Sequence, residues 1–496
     1  MPTEHSAQQT PPPDTGGAGA RGVGTGLVIG ALAGAGVTVS IMQTLVVAII
    51  PQLPRLLHTG AANTSWVVTA TLLTAAVATP VLGRLGDMYG KRRMMLTCAG
   101  VVVAGSLVCA FSTSVTPLVA GRALQGTGLA LIPLGISLMR DTLPADRLNS
   151  GLAFMSSSLG IGGALGLPAS AAIAQVFGWH ALFWASAVLV TGFATLIYFV
   201  VPESSVRVAG RIDVLGVLGL AVGLIGYLLG ISKGGDWGWS SPTTIVLFAI
   251  AVVVLTAWTW WELRVASPTV DIRTTTSRSV LFTNLTGFAV GLAMYAMNLL
   301  APELLQLPRG TGYGMGLSLL TAGLWMIPTG LSMVVFSQVA ARVTIARGPK
   351  TTLLTGIAVI AAGNGAAQFM LGHLWGVVAF TVTVSIGVAF AYAAMPALIM
   401  AAVEPTQTAA ANGFNTLCRS LGTSTASAII GTVLGQFTMT IGGSVLPSEI
   451  GVRVVLGMGV IAGVLALTMG ALIPYRKPVT PTRDGIGVPD TAHSRR

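Results

Sequence analysis

Apolar runs about as long as a bilayer is thick recur fourteen times along this chain, and most carry no charge. Approximate limits are 25–50, 66–82, 94–112, 117–139, 150–174, 181–201, 214–231, 243–261, 280–305, 316–336, 351–371, 375–400, 411–436 and 452–473. A backbone in hydrocarbon must satisfy its own hydrogen bonds, which leaves helices or a closed barrel. Barrel strands are about ten residues long and alternate in polarity, and that pattern is absent. The sequence therefore predicts an all-α integral membrane protein. Composition agrees: 8% of the 496 residues are charged and 53% are hydrophobic, where a soluble chain carries roughly a quarter charged.

An even number of spans puts both termini on one side. With the N-terminus cytoplasmic, twenty of the twenty-six Lys and Arg residues fall in inside segments or tails. Arg55, Lys233, Arg309 and Arg453 fall outside, and only Arg122 and Arg419 lie well within spans. This is the positive-inside distribution, so the net charge of +11 is a topology signal and not a nucleic-acid footprint. A multi-pass protein of the cell membrane is expected, with residues 1–24 and 474–496 as cytoplasmic tails, the first disordered from its Pro, Gly, Thr and Gln content.

Cys98, Cys109 and Cys418 sit in apolar runs, and the five histidines lie in tails or short loops. No metal-ligand spacing, nucleophile–base pair or nucleotide-binding loop appears, so neither an enzyme nor a cofactor or metal is expected. A faint repeat is present. "WVVTATLLTAAVATPVLGRLGDMYGKRRMMLTCAG" and "LWMIPTGLSMVVFSQVAARVTIARGPKTTLLTGIAV" share the plan helix, basic Gly-containing turn, helix, in the same direction. Two parallel six-helix halves, 25–201 and 280–473, follow, with 202–279 a linker holding two extra spans, an arrangement known for transporters.

The stretch "GRLGDMYGKRR", residues 83–93, places five charges and three glycines in eleven residues between two uncharged runs. It resembles the loop between helices 2 and 3 of the major facilitator superfamily, G-x-x-x-D-x-x-G-R-K/R, through Gly83, Asp87, Gly90 and Arg92, with Lys91 replacing an Arg. By that resemblance Gly83, Asp87, Gly90, Lys91, Arg92 and Arg93 form a cytoplasmic gate that latches the two halves, Asp87 meeting either a helix N-terminus or an Arg. A purely structural loop is the alternative.

"LVAGRALQGTG" is similar to the family's L-x-x-x-R-x-x-Q-G through Leu118, Arg122, Gln125 and Gly126. The resemblance implies a part for Arg122 in proton coupling; an Arg bonded to backbone carbonyls is the alternative. "SSSLGIGGALGLPASAAIAQVFG" resembles the antiporter motif G-x-x-x-G-P-x-x-G-G through Gly162 and Gly166, with Pro168 displaced by one residue and Ser170 and Ala171 where glycines are usual. "RIDVLGVLGL", "GGDWGW", "SPTVDIR", "LLQLPRG" and "NGFNTLCRSLG" resemble the fourteen-helix drug:proton antiporter branch.

One departure bears on mechanism. The branch carries an Asp in helix 1, whereas "IMQTLVVAIIP" places Met42 there and the first span has no acid. Glu303, in the outer part of span 9, is the acid that falls inside a span. An intramembrane ionisable group is a functional candidate by default, so Glu303 is the expected proton or cation site, with Arg122 modulating it; a place at the outer interface is the alternative. Candidate substrate contacts at mid-membrane depth are Gln43, Gln125, Tyr295, Asn298, Trp325, Tyr392, Asn415 and Arg419. Arg419 could bind an anionic group or hold helices together. The resemblance implies a monomeric exporter of amphipathic small molecules, drugs or antibiotics, exchanging them for protons across the lipid bilayer. A facilitator or importer without proton coupling, and a non-transporting sensor or scaffold, stand as alternatives.

Overall fold

The computed structural model describes residues 24–46, 49, 53–59, 61–441 and 444–474. Both expected tails, apart from their edge residues 24 and 474, lie outside the described residues, as does part of the end of the first span. Fourteen long helices fill the described residues: α1 Thr25–Leu45, α2 Trp66–Tyr89, α3 Lys91–Ala110, α4 Val115–Thr142, α5 Ala145–Phe177, α6 His180–Val200, α7 Val214–Trp237, α8 Pro242–Glu262, α9 Arg278–Gln306, α10 Leu319–Arg347, α11 Pro349–Ala367, α12 Leu374–Ala402, α13 Thr408–Gln436 and α14 Glu449–Ala471. Eleven are long and apolar enough to cross a membrane, and α5, bent by 44° before Pro168, makes a twelfth. The more polar α11 and α13 are not in that set, so fourteen helices do not establish fourteen crossings.

Helices α1–α6 pack as one group and α9–α14 as another. In the first group α1 packs on α5 and α6, α2 on α4, and α3 on α4 and α6. In the second, α9 packs on α13 and α14, α10 on α12, and α11 on α12 and α14. Adding eight to each helix number of the first set produces the second. The groups meet through α2 with α13 and α5 with α10, which the same operation exchanges. Local detail repeats too. A Cβ on Gly105 of α3 would sit 2.6 Å from the carbonyl oxygen of Gly121 on α4, and one on Gly356 of α11 would sit 2.6 Å from that of Gly387 on α12. Only glycine permits backbones so close.

The expected loop over residues 83–93 is corrected by the structure. Helix α2 runs to Tyr89 and α3 begins at Lys91, so Gly90 alone forms the turn. Its φ of +111°, matched by +88° at Gly348 between α10 and α11, is a conformation open to glycine at little cost. The all-α expectation also misses an antiparallel hairpin, β1 Thr438–Ile441 with β2 Ser444–Pro447, between α13 and α14. Its return strand is held by the Tyr313 hydroxyl, which donates to the Pro447 carbonyl.

The inserted helix α7 lies against both groups, touching α2 and α13. Its Asp213 cap accepts from the Gly216 amide. Near its other end Ser232 is 3.0 Å from Thr69 of α2, Tyr227 is 2.8 Å from Thr425 of α13, and the Trp239 indole donates to Thr432 at 3.1 Å. A cavity of about 550 Å³ lies between these three helices.

Candidate functional site

Where the end of α2 meets the start of α13 a buried carboxylate joins the two groups. Asp87, third from the end of α2 and 1% exposed, accepts from the backbone amides of Ala409 at 3.2 Å and Ala410 at 2.9 Å. These are the second and third residues of α13, whose first-turn amides have no partner inside the helix and carry its positive dipole end. Hydrogen bonds to a charged acceptor are worth about 1.5–3 kcal/mol each, so this contact ties the end of α2 to the start of α13. Close approach is made possible by two glycines. A Cβ on Gly83 would lie 2.7 Å from the Ala409 carbonyl oxygen, and one on Gly413 would lie 2.9 Å from that of Thr79.

Lys91, fully buried, is 2.6 Å from Asp141 and 3.6 Å from Asp87. Ser204 of the linker donates to Asp141 at 2.5 Å, and the Val208 amide donates to the Asp87 carbonyl at 2.9 Å. Arg140 adds a second bridge between the groups, donating to Thr408 at 2.6 Å. Arg92 and Arg93 follow in the first turn of α3. Their amides donate to Glu203, and the Arg92 guanidinium reaches the Tyr198 carbonyl and lies 5.2 Å from that ring. Both contacts remain within the first group and its linker.

Above this closure, between the groups, lies a cavity of about 840 Å³ walled by α1, α4, α5, α9, α10 and α12. Gln43, Tyr295, Asn298 and Tyr392 line it as expected. Met294, Met297, Met326 and Met333 supply much of its apolar wall, a flexible and polarisable surface that adapts to ligand shape. Among the described residues the lining contains no Asp, Glu, Lys, Arg or His.

The other candidates sit behind the lining. Arg122 is buried and donates to the Val67 carbonyl at 3.4 Å and to Gln125 at 2.7 Å, and Gln125 passes the chain on to Ser106 at 2.7 Å. Trp325, at the break within α10, packs edge-on against Trp375 with centroids 5.2 Å apart. Glu303 is half-buried in the last turn of α9, between the lining residues Pro302 and Gln306 but not itself in the lining. Asn415 donates to Asn284 at 2.9 Å, and the Arg419 guanidinium lies 4.1 Å from the centroid of the Tyr392 ring. Met42 is buried with Ala99, Val102 and Val190, away from the cavity that its neighbour Gln43 lines.

Gly162 and Gly166 of α5 face α1. Cβ atoms there would lie 2.2 Å from the Ser40 Cβ and 1.6 Å from the Thr44 hydroxyl, so larger residues would force the two helices apart. Pro168 follows the bend and meets α10, where a Cβ on Gly323 would approach its ring nitrogen to 3.1 Å. Arg140, Asp141, Glu203 and Ser204 were not among the expected residues. Their partners lie 50 to 268 positions away, and only the Arg140–Asp141 pair at the end of a span offered a sequence signal.

A family model described as the Major Facilitator Superfamily matches residues 32–427. The chain belongs to the major facilitator superfamily. Superfamily members are transporters and not enzymes. Among its relatives, "Uncharacterized MFS-type transporter YvkA" of Bacillus subtilis (strain 168) is 27% identical over 419 residues, covering 83% of this chain and 91% of that protein. "Multidrug resistance protein Stp" of Mycobacterium tuberculosis (strain CDC 1551 / Oshkosh) is 25% identical over 410 residues, covering 82% and 75%. The solved structure of the superfamily's proton:xylose symporter XylE superposes with a TM-score of 0.63 at 14% identity, covering 90% of this chain and 95% of that one, a likeness of fold.

Proposed function

We propose that this superfamily transporter is a monomeric secondary exporter of amphipathic small molecules, drugs or antibiotics among them, working by alternating access in the cell membrane. All fourteen helices cross the bilayer in this reading, with both termini cytoplasmic and the halves bounded at 25–201 and 280–473. The observation that carries it is the Asp87 carboxylate on the N-terminus of α13, closing the inner side of a largely apolar cavity between the two groups. Several relatives bear multidrug names, and an adaptable Met-rich wall suits varied amphipathic ligands.

Exchange for protons is part of the proposal, with Glu303 as the titrating carboxyl and Arg122 as a fixed charge. Glu303 adjoins two lining residues, and among the described residues no acid lines the cavity itself. A second reading, a carrier without proton coupling, is favoured by the burial of Met42 away from the cavity. Inside-out vesicles loaded with an imposed pH gradient separate them, using a panel of amphipathic dyes and Glu303→Gln beside the wild type. Gradient-driven uptake that the variant loses supports antiport through Glu303. Uptake indifferent to the gradient supports the second reading, and no uptake of any dye contradicts export.

A further inference from the structure

The interface between α9, α12 and α13 holds buried hydrogen-bond donors without a partner. Arg419 is the eleventh residue beyond Thr408, the start of α13, so helical rise puts it about 16 Å from the latched end. Its guanidinium is stacked on the Tyr392 ring at 4.1 Å, and its one side-chain contact within hydrogen-bond range is Thr416 at 3.5 Å. The Nε group is buried without a partner, and so is the Nδ2 group of Asn284 across the interface. Asn415 already spends a donor on the Asn284 oxygen. Among the described residues no carboxylate pairs with Arg419. Gly287 leaves the space, since a Cβ there would lie 3.2 Å from both the Arg419 Cγ and the Asn415 amide nitrogen.

Buried donors without acceptors are costly, and an unpaired cation at membrane depth more so. Arg122 shows the contrast: its charge is spread over a carbonyl and the Gln125 oxygen, within one half. We propose that Arg419, with Asn284 and Asn415, binds the anionic head group of an amphipathic substrate, a carboxylate, sulfonate or phosphate ester. This rests on the exporter reading and names its substrate class.

Position supports the assignment. Tyr392 lines the cavity on one side and stacks on Arg419 on the other, so the head-group site adjoins the space for an apolar body. It lies between that cavity and the latch, on the helix whose inner end Asp87 holds. A solute entering from the cytoplasm with the latch released meets the cation first. A planar guanidinium with free donors suits oxyanions, and a positive site repels cations. An anion leaving across an inside-negative membrane also moves down the electrical gradient. Such a cargo leans less on a carboxyl in the first helix, where Met42 stands.

Three fluorescent naphthalene probes with one apolar body test this: a sulfonate, a neutral sulfonamide and a trimethylammonium. Uptake efficiency, Vmax/KM, is measured in inside-out vesicles under an imposed gradient for wild type, Arg419→Gln and Arg419→Lys. The expected result is a wild-type preference for the sulfonate over both others. The sulfonate-to-neutral ratio falls at least about tenfold in Arg419→Gln and by less in Arg419→Lys, which keeps the charge but loses the fork. A ratio unchanged in Arg419→Gln, or a wild-type preference for the trimethylammonium, overturns the head-group site while leaving export standing. No uptake of any probe, the neutral one included, overturns export and the head-group site together.

Discussion

Asp87 and Ala410 are 323 positions apart in the chain, yet the buried carboxylate of one accepts from the backbone amide of the other at 2.9 Å. The bond ties the end of α2 to the start of α13, and in the proposed function it is the latch of the inner side. Neutralising it by Asp87→Asn removes the charge that meets the helix dipole and leaves one acceptor where there were two. Uptake into inside-out vesicles is expected to fall about tenfold or more, a loss of at least one charge-assisted bond. Wild-type rates in Asp87→Asn would contradict the latch.

Gly83 is a matching test by shape. A Cβ there would press on the Ala409 carbonyl at 2.7 Å, and overpacking of this kind costs about 1–3 kcal/mol. Gly83→Ala should therefore favour the inner-open form, read as faster labelling of Ala411→Cys by an impermeant maleimide from the inner side. Gly100→Ala, with open space around its Cβ, should leave the labelling rate unchanged.

The chain from Arg122 through Gln125 to Ser106 is buried throughout. Gln125→Leu strands donors and acceptors on either side, and the expected cost is about 1–3 kcal/mol, read as a lower unfolding midpoint in detergent. Because Arg122 and Gln125 act as one unit, the double variant Arg122→Met with Gln125→Leu should cost less than the sum of the two singles.

Tyr313 supplies a pH test outside the membrane spans. Burial, with the nearby carboxylates of Glu303 and Glu449, pushes its phenol up from 10.0 to about 12. The folded state holds this proton more tightly than the unfolded one, so the stabilisation is complete below pH 10 and is lost as pH rises towards 12. Comparing unfolding midpoints of wild type and Tyr313→Phe across that window should show the wild-type advantage shrinking. The hydroxyl's bond to the Pro447 carbonyl is worth about 1 kcal/mol at neutral pH.

Helix positions were legible because the bilayer imposes one length and one polarity on every span, and the ends of α3, α6, α8, α9 and α12 fall within a few residues of the apolar limits. The gate motif was legible as a pattern, but its geometry was not. The sequence offered Asp87 an Arg or a helix end, and the partner is the N-terminus of α13, a backbone feature that residue identity does not reveal. Arg92 and Arg93 read as gate residues by resemblance; the backbone amides of both donate to Glu203 and the Arg92 guanidinium reaches the Tyr198 carbonyl, contacts with distant residues that the motif does not reveal. Four of the eight proposed substrate contacts line the cavity. Trp325 stacks on Trp375 instead, because the helix break beside it sets a direction that spacing alone does not give.

Alternation of the inner side about the Asp87 latch is the central claim, and a distance tests it most directly. Spin labels at Asp146→Cys, the start of α5, and Ile345→Cys, near the end of α10, sit exposed on the inner ends of opposite groups. With the three native cysteines replaced by serine or alanine, pulsed EPR in nanodiscs should show a short and a long separation in equilibrium. Asp87→Asn should shift weight to the long one. A single separation, unmoved by Asp87→Asn, would contradict the account.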